Sequence, residues 1–385
     1  MLRYSIGVIV LMFAVSNMRC IASKHSATPT QSPAGHYYVA PNGTDSSDGS
    51  RAHPWRTIQY ASTRVVPGAT VHVAPGSYIG QIVTRPSGGP GARIVYLSDV
   101  RWGARINSPV GGDAATWQNY GDYVDIVGFD VSGDGNVGIF NKASFTRIIG
   151  NHVHNIPAAL CSHLGGAGIT DGNYKATDAD VIGNIVHDIG VPGECFRVHG
   201  IYHSVLRGHI LNNISYHNSS WGIQLWHAAT EVVIANNTVF DNGSEKVGGG
   251  MNIGAGDAPG GVSTDNCIVT NNIIYRNAGT ALREYGRVGD KNRYMNNLVF
   301  DNGRGLLLTR QHGAENTIEK DPQFVAYNPT GMGDYRLRPT SPAIDAGTSV
   351  GAPDTDLDGG SRPVGRGYDI GAYEFGSAPP PWPHY

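Results

Sequence analysis

The residues best equipped for chemistry in this chain sit in a repeated three-residue unit: a Gly, an aliphatic side chain, then a third, mostly polar one. Gly200-Ile201-Tyr202, Gly222-Ile223-Gln224 and Gly250-Met251-Asn252 are its clearest copies. Alternate residues of a strand point to the same side, so in a stack of such strands the third position of every copy faces outward. That places Phe140, Thr170, Tyr202, Gln224, Asn252 and, with a slip of register, Arg283 in one column. Two residues further along stand Ser204, Trp226, Gly254 and Tyr285, with His203, His227 and Glu284 at the margins. Aromatic faces suit the C–H surfaces of sugars, and amides or Arg suit hydroxyls and carboxylates. The same set could carry a β-elimination beside a carboxylate, which needs a cation or donor for the developing enolate and a base for the proton. Arg283 is the candidate for the first role and Tyr202, His203 or His227 for the second, with no metal required. Gln224, Trp226, Asn252, Trp221, Tyr285 and Glu284 are the candidates for binding.

A solenoid is what would hold such a column. Aligned on a recurring Asn, the chain yields Asn151, Asn184, Asn213, Asn237, Asn272 and Asn297, at steps of 33, 29, 24, 35 and 25 residues. Three positions after each comes His154, His187, Tyr216, Phe240, Tyr275 or Phe300. Apolar residues alternate in short bursts between Gly, Asn, Asp and Ser, and no run has the period of an amphipathic helix. Coils of about 22 residues are each too small to bury their own apolar face, and they stack with equivalent positions about 4.8 Å apart. The expected fold is all-β: a right-handed parallel β-helix over 37–320, with an N-terminal capping helix and a small β-rich extension over 321–375. The Asn column, His154 and His187 are expected to be structural, satisfying backbone groups at the turns.

Residues 1–22 have the pattern of a secretory signal, with Arg3, an apolar run from Ile6 to Val15 and small residues near Ala22. The apolar run is too short to span a bilayer. Residues 23–36 read as a disordered leader and 376–385 as a Pro-rich, disordered tail. The mature protein is expected to be secreted, periplasmic or at the cell surface, as a monomer whose partner is an extracellular polysaccharide. Lys and Arg number 28 against 31 Asp and Glu, for a net charge of −3, and without basic blocks nucleic acid is not an expected partner. Cys161 and Cys195 follow their aligned Asn by 10 and 11 residues, close enough on successive coils for a disulfide. Two separate buried thiols are the alternative, and Cys267 is expected in the core. Asp354, Asp356, Asp358 and Gly359 fit the first half of a calcium loop, but Gly365 stands where its Glu is needed, so the segment reads as an acidic turn.

The stretches YYVAPNGTDSSDGSRAHPWRTIQYA and GATVHVAPGSY resemble the opening of secreted bacterial β-helix proteins related to polysaccharide lyases, including pectate lyases of family nine and chondroitinase B. Near the far end, DPQFVAYNPTGMGDYRLRPTSPAIDAG and GGSRPVGRGYDIGAYEF resemble the tail of bacterial surface proteins called choice-of-anchor Q. Together the matches bracket nearly all of the mature chain. They imply the fold, export and a polysaccharide substrate, on a scaffold that hosts many activities. In family-nine lyases the segment matching HNSSWGIQLW carries calcium-binding aspartates; this chain has Ser219, Ser220, Trp221 and Gln224 there. Where that family has its catalytic Lys, this chain has Asn252. Calcium is the cofactor the resemblance implies, at positions that Asp and Glu do not fill, and no cofactor is expected.

The expected function is cleavage of an acidic, uronate-containing glycan by β-elimination. The alternative is a non-catalytic glycan-binding or structural surface solenoid. A hydrolase is the weaker enzyme reading, because it needs two carboxyl groups about 5–9.5 Å apart. Glu194, Asp171, Asp241 and Glu284 offer no such pair at matching coil positions.

Overall fold

The structure, a computed structural model, describes residues 35–158, 161–162, 164–256, 261–309, 312–329 and 331–383. The signal-like segment and nearly all of the polar leader lie outside them. Eleven strands, from His36–Val39 to Ala314–Glu315, form one parallel sheet. A second, 16-stranded sheet runs along one flank and returns along another through the long strand Asp130–Asn141, which belongs to both arms. Each coil therefore contributes a strand to each of three flanks, and the fold is the right-handed parallel β-helix. Parallel strands need long crossovers and are buried between layers; here the next flank of the same coil is the crossover. Inward-facing Ile169, Val181, Ile201, Ile210, Ile223 and Ile234 are fully buried. These β-branched side chains pack well on a pleated surface.

The recurring Asn forms one corner. The Asn151 Nδ2 donates to Asn184 Oδ1 at 3.0 Å, and the chain of amides continues through Asn213, Asn237, Asn272 and Asn297. Each side-chain oxygen also accepts the backbone N–H of the preceding rung, so buried backbone donors at the bend are satisfied. A second ladder, Asn218–Asn242–Asn277–Asn302, does the same at the next corner.

The residue before each Asn of the first ladder turns the chain in the left-handed region, with φ of 63° at Gly150 and Gly183 and 49–55° at Asn212, Asn236, Asn271 and Asn296. Gly and Asn tolerate that conformation best. Which of the two is used follows from what packs outside. Asn212, Asn236, Asn271 and Asn296 donate their Nδ2 to Thr355 O, Asp369 O, Thr348 O and Ala346 O at 2.7, 2.8, 2.8 and 2.9 Å, tying down the C-terminal extension. At Gly150 the neighbour is the Trp382 ring, which a Cβ would approach to 3.3 Å.

The column His154, His187, Tyr216, Phe240, Tyr275, Phe300 is in register across successive strands and faces outward from one arm of the second sheet. The C-terminal extension lies over its later rungs. Phe324 and Tyr335, on the antiparallel pair Phe324–Ala326 and Asp334–Leu337, pack on Phe240 and Tyr275, which become 0% and 8% exposed. The extension is clamped by a fully buried ion pair, Arg362 to Glu374 at 2.7 Å.

Two expectations need correction and three are completed. The N-terminal helical cap is not evident: Ile58–Ala61 is a single turn, capped by Thr57, that sends Ile58 and Ala61 into the core. The Pro-rich tail docks through Trp382, which donates its indole N–H to Ser98 O at 2.9 Å and packs on Leu97, Val127 and Ile149. Cys161 and Cys195 are joined, with Cα atoms 5.6 Å apart, stapling successive coils. Cys267 is buried in the core, where burial pushes its thiol up to about 12. The acidic turn is a turn: Asp356 Oδ1 accepts the backbone N–H of Asp358 and Gly360 at 3.0 and 2.8 Å.

Candidate functional site

The other arm of the second sheet presents the column in which chemistry was sought. Its strands include Gly166–Asp171, Val198–His203, Trp221–Leu225, Gly249–Ala255 and Thr280–Gly286. Pairing runs Phe140, Thr170, Tyr202, Gln224, Asn252, Arg283 without interruption. Arg283 needs no slip, since Met251 pairs with Leu282 and Asn252 with Arg283. The aliphatic residue before each member points inward: Ile169, Ile201, Ile223, Met251 and Leu282 are at most 1% exposed.

Two groups form on this face. In the first, the Arg283 guanidinium lies over the rings of Trp221 and Tyr285, 4.5 and 4.6 Å from their centroids. Trp221 stands two rungs earlier, on the strand of Gln224, so the side chain leans back along the column. Its Nε donates to Asn252 Oδ1 at 2.7 Å, and among the described residues no carboxylate forms an ion pair with it. Burial lowers the Arg283 pKa from its ordinary value, and an Arg stays charged through such a shift. The buried Asn252 Nδ2 has no partner among the described residues. Trp226 stacks on Tyr285 at 5.8 Å, and Tyr285 is 56% exposed.

In the second group, Tyr202 meets His227 edge-on with ring centroids 6.0 Å apart. His227 Nε2 and the Tyr174 hydroxyl are 2.9 Å apart, and Tyr202 stacks on His199 at 5.2 Å. Burial pushes the His199 imidazole down to about 3, so it is a neutral support for the Tyr202 ring. Tyr174 and His199 were not among the sequence candidates. Tyr174 lies in a loop outside the repeat, and His199 is separated from the column by alternation, so only the fold brings them in.

Two candidates lie beneath the face instead. His203 is fully buried and donates Nδ1–H to Asp171 Oδ2 at 2.9 Å. Glu284 is 7% exposed and accepts from the Tyr294 hydroxyl, the Thr309 backbone N–H and the Thr309 hydroxyl at 2.6, 2.7 and 2.6 Å, with His312 as ion partner. Both follow an outward residue directly, so the two-residue period of a strand turns them inward. Ser204 is buried too, its hydroxyl donating to Asp171 O. The carboxylates weighed for hydrolysis do not converge on the face: Asp171 and Glu284 are committed inside, and Asp241 accepts from Tyr327 beneath the extension.

No family model matches the chain. Pectate lyase L of Dickeya dadantii (strain 3937) is 22% identical over 334 residues, 76% of this chain and 72% of that protein. The uncharacterized protein YwoF of Bacillus subtilis (strain 168) is 36% identical over 64 residues, 16% of this chain, and the match spans only 14% of that protein's length. Among solved structures, pectate lyase Pel9A gives a TM-score of 0.65 at 20% identity, covering 89% of this chain and 97% of that one. An alginate lyase from Paenibacillus sp. gives 0.52 at 15% identity, covering 68% and 95%. Likeness at these identities establishes the parallel β-helix.

Calcium, which the resemblance implies, does not fit the residues at the matched positions. Ser219 and Ser220 are buried, and Ser219 is spent on the Cys195 backbone. The nearby side-chain oxygen of Asn252 is held by a guanidinium, which repels a cation. A calcium site needs six to eight oxygens, mostly carboxylate and carbonyl.

Proposed function

We propose that this protein is an exported, lyase-like β-helix that cleaves an acidic, uronate-containing polysaccharide by β-elimination along the open face. The observation that carries this reading is Arg283: a cation without a carboxylate partner among the described residues, held between Trp221 and Tyr285 on a face one rung per coil wide. Such a guanidinium can take a uronate carboxylate and stabilise the enolate as it forms. A base on the Tyr202–His227 side removes the proton beside the carboxylate, the electron pair forms a carbon–carbon double bond as the bond to the leaving sugar oxygen breaks, and that oxygen takes up a proton from solvent. Tyr202 and Arg283 are three rungs apart, about 14 Å between backbones. The backward lean of Arg283 shortens that gap; Gln224 lies between to take hydroxyls, and the buried Asn252 holds the guanidinium in place. Trp226 and Tyr285 supply a platform for a further sugar. The pectate and alginate lyases among the similar proteins support the substrate class, and the Cys161–Cys195 disulfide suits an oxidising compartment.

The test is ultraviolet absorbance of unsaturated uronate while the mature protein meets a panel of pectate, alginate and chondroitin, with and without chelator. A rise that persists in chelator supports the reading. Binding by calorimetry without a rise supports a glycan-binding solenoid instead, and neither signal on any acidic glycan overturns the assignment of this face.

A further inference from the structure

Away from the open face, three histidines meet at the first rungs of the covered column. His152 and His154 are two residues apart on the strand His152–Ile156 and so project to the same side, and His187 pairs with His154 on the next coil. One nitrogen from each of the three lies within 4.8 Å of the others. The His152 and His187 Nε2 atoms are 2.8 Å apart. Each of these rings has its other nitrogen against a carboxylate: His152 Nδ1 is 2.9 Å from Asp130 Oδ2, and His187 Nδ1 is 2.5 Å from Asp188 Oδ2. A carboxylate only accepts, so both Nδ1 atoms carry hydrogen, and each neutral ring aims a bare Nε2 lone pair at the other. Two such lone pairs in contact repel unless a positive charge lies between them. A zinc bonded tetrahedrally to both at about 2.0–2.1 Å would hold the nitrogens about 3.3 Å apart, so the two rings need open by only about half an ångström from 2.8 Å to receive it.

We propose that His152, His154 and His187 form a binding site for a divalent transition ion of the zinc class. Three imidazoles, all backed by carboxylates that fix the tautomer, are the donor set such ions prefer over oxygen-seeking calcium or magnesium; His154 Nε2 lies 3.2 Å from Asp130 Oδ2, which leaves Nδ1 as its lone pair. Trp102, 5.1 Å from the His152 ring, and Tyr216, stacked on His187 at 4.6 Å, wall the site. The side chains of His152, His154 and His187 keep 13%, 18% and 8% exposure, so an ion can enter and a water can complete a four-coordinate shell. The ion would pin two coils where the aromatic column begins, and the site does not depend on the glycan reading.

Calorimetric titration of the untagged, chelator-stripped full chain with zinc tests this. One zinc per chain is expected, lost in His187→Ala and His154→Ala, weakened about 10- to 100-fold in Asp130→Asn, and kept in His209→Ala, which alters an exposed His–Asp pair on another sheet. Should the variants fail to fold, the cobalt-loaded unaltered protein decides: a visible ligand-field band of imidazole-bound cobalt supports the site, and its absence overturns it. Absence of saturable uptake, uptake that survives in a folded His187→Ala, or loss equally in His209→Ala also overturns it; the first of these would leave a shared proton as what reconciles the two nitrogens.

Discussion

Two outward columns run down this β-helix, each with one residue per coil and each rich in rings, and they meet opposite fates. From Tyr216 to Phe300 the first is rings alone, stacked at 4.8 Å between Tyr216 and Phe240, and the extension covers it. The second interleaves Tyr202, Gln224, Asn252 and Arg283, and Tyr285 beside it stays 56% exposed. Geometry does not separate them, for both are parallel ladders with the same rung spacing. Chemistry does: an unbroken apolar stripe gains by being covered, whereas covering amides and a guanidinium without partners costs more than it returns. On one scaffold, the same device serves as packing surface and as candidate site.

The comparison breaks most visibly if the two columns respond alike to truncation. Phe240→Ala removes a fully buried ring beneath Tyr335 and is expected to cost about 3–5 kcal/mol, read as a fall in the denaturation midpoint. Trp226→Ala, on the open side, should change stability by no more than about 1 kcal/mol, with the loss showing in glycan affinity. Equal destabilisation by both would mean the open face is also packing surface. Glu374→Ala strands the buried Arg362 without its partner and should cost about 3–5 kcal/mol as the extension loosens. Unsaturated-uronate turnover per folded molecule should stay near normal in that variant, because the clamp grips the covered side.

Arg283→Ala sharpens the contrast from the other direction. It should lower turnover on the preferred uronate glycan about 10²- to 10³-fold, the loss typical of one transition-state donor, while the melting temperature stays within a few degrees. Arg283→Lys keeps the charge but not the planar fork that stacks between Trp221 and Tyr285, and should recover little. A fall in affinity with turnover at saturation unchanged would make Arg283 a binding residue only.

Much of this organisation could be read from the residues, and the gaps have physical causes. The Asn column and the order Phe140 to Arg283 were legible because stacking repeats one chemical requirement at one place in every coil. The second ladder was equally present, with Asn218, Asn242, Asn277 and Asn302 each five residues after an Asn of the first. His203 and Glu284 were misplaced at the margin of the face because their polarity suggested exposure, although alternation directs them inward, where Asp171 and Tyr294 receive them. What no local pattern could supply is which column the extension covers. That depends on contacts such as Asn212 with Thr355 and Trp382 with Ser98, made between residues 143 and 284 positions apart.

The smallest effect tests the covering extension through protons. Burial pushes the Asp369 carboxyl up to about 6 from its ordinary 3.8, against backbone N–H bonds from Phe375 and Asp345 that favour the charged form. Between about pH 4 and pH 6 the folded chain therefore holds a proton that the unfolded chain has released. Stability contributed by this group falls as pH rises through that window, by an amount on the order of 1–2 kcal/mol. Asp369→Asn cannot titrate, so it should flatten that part of the stability profile, even though losing an acceptor lowers stability throughout. An unchanged slope would place the titration elsewhere.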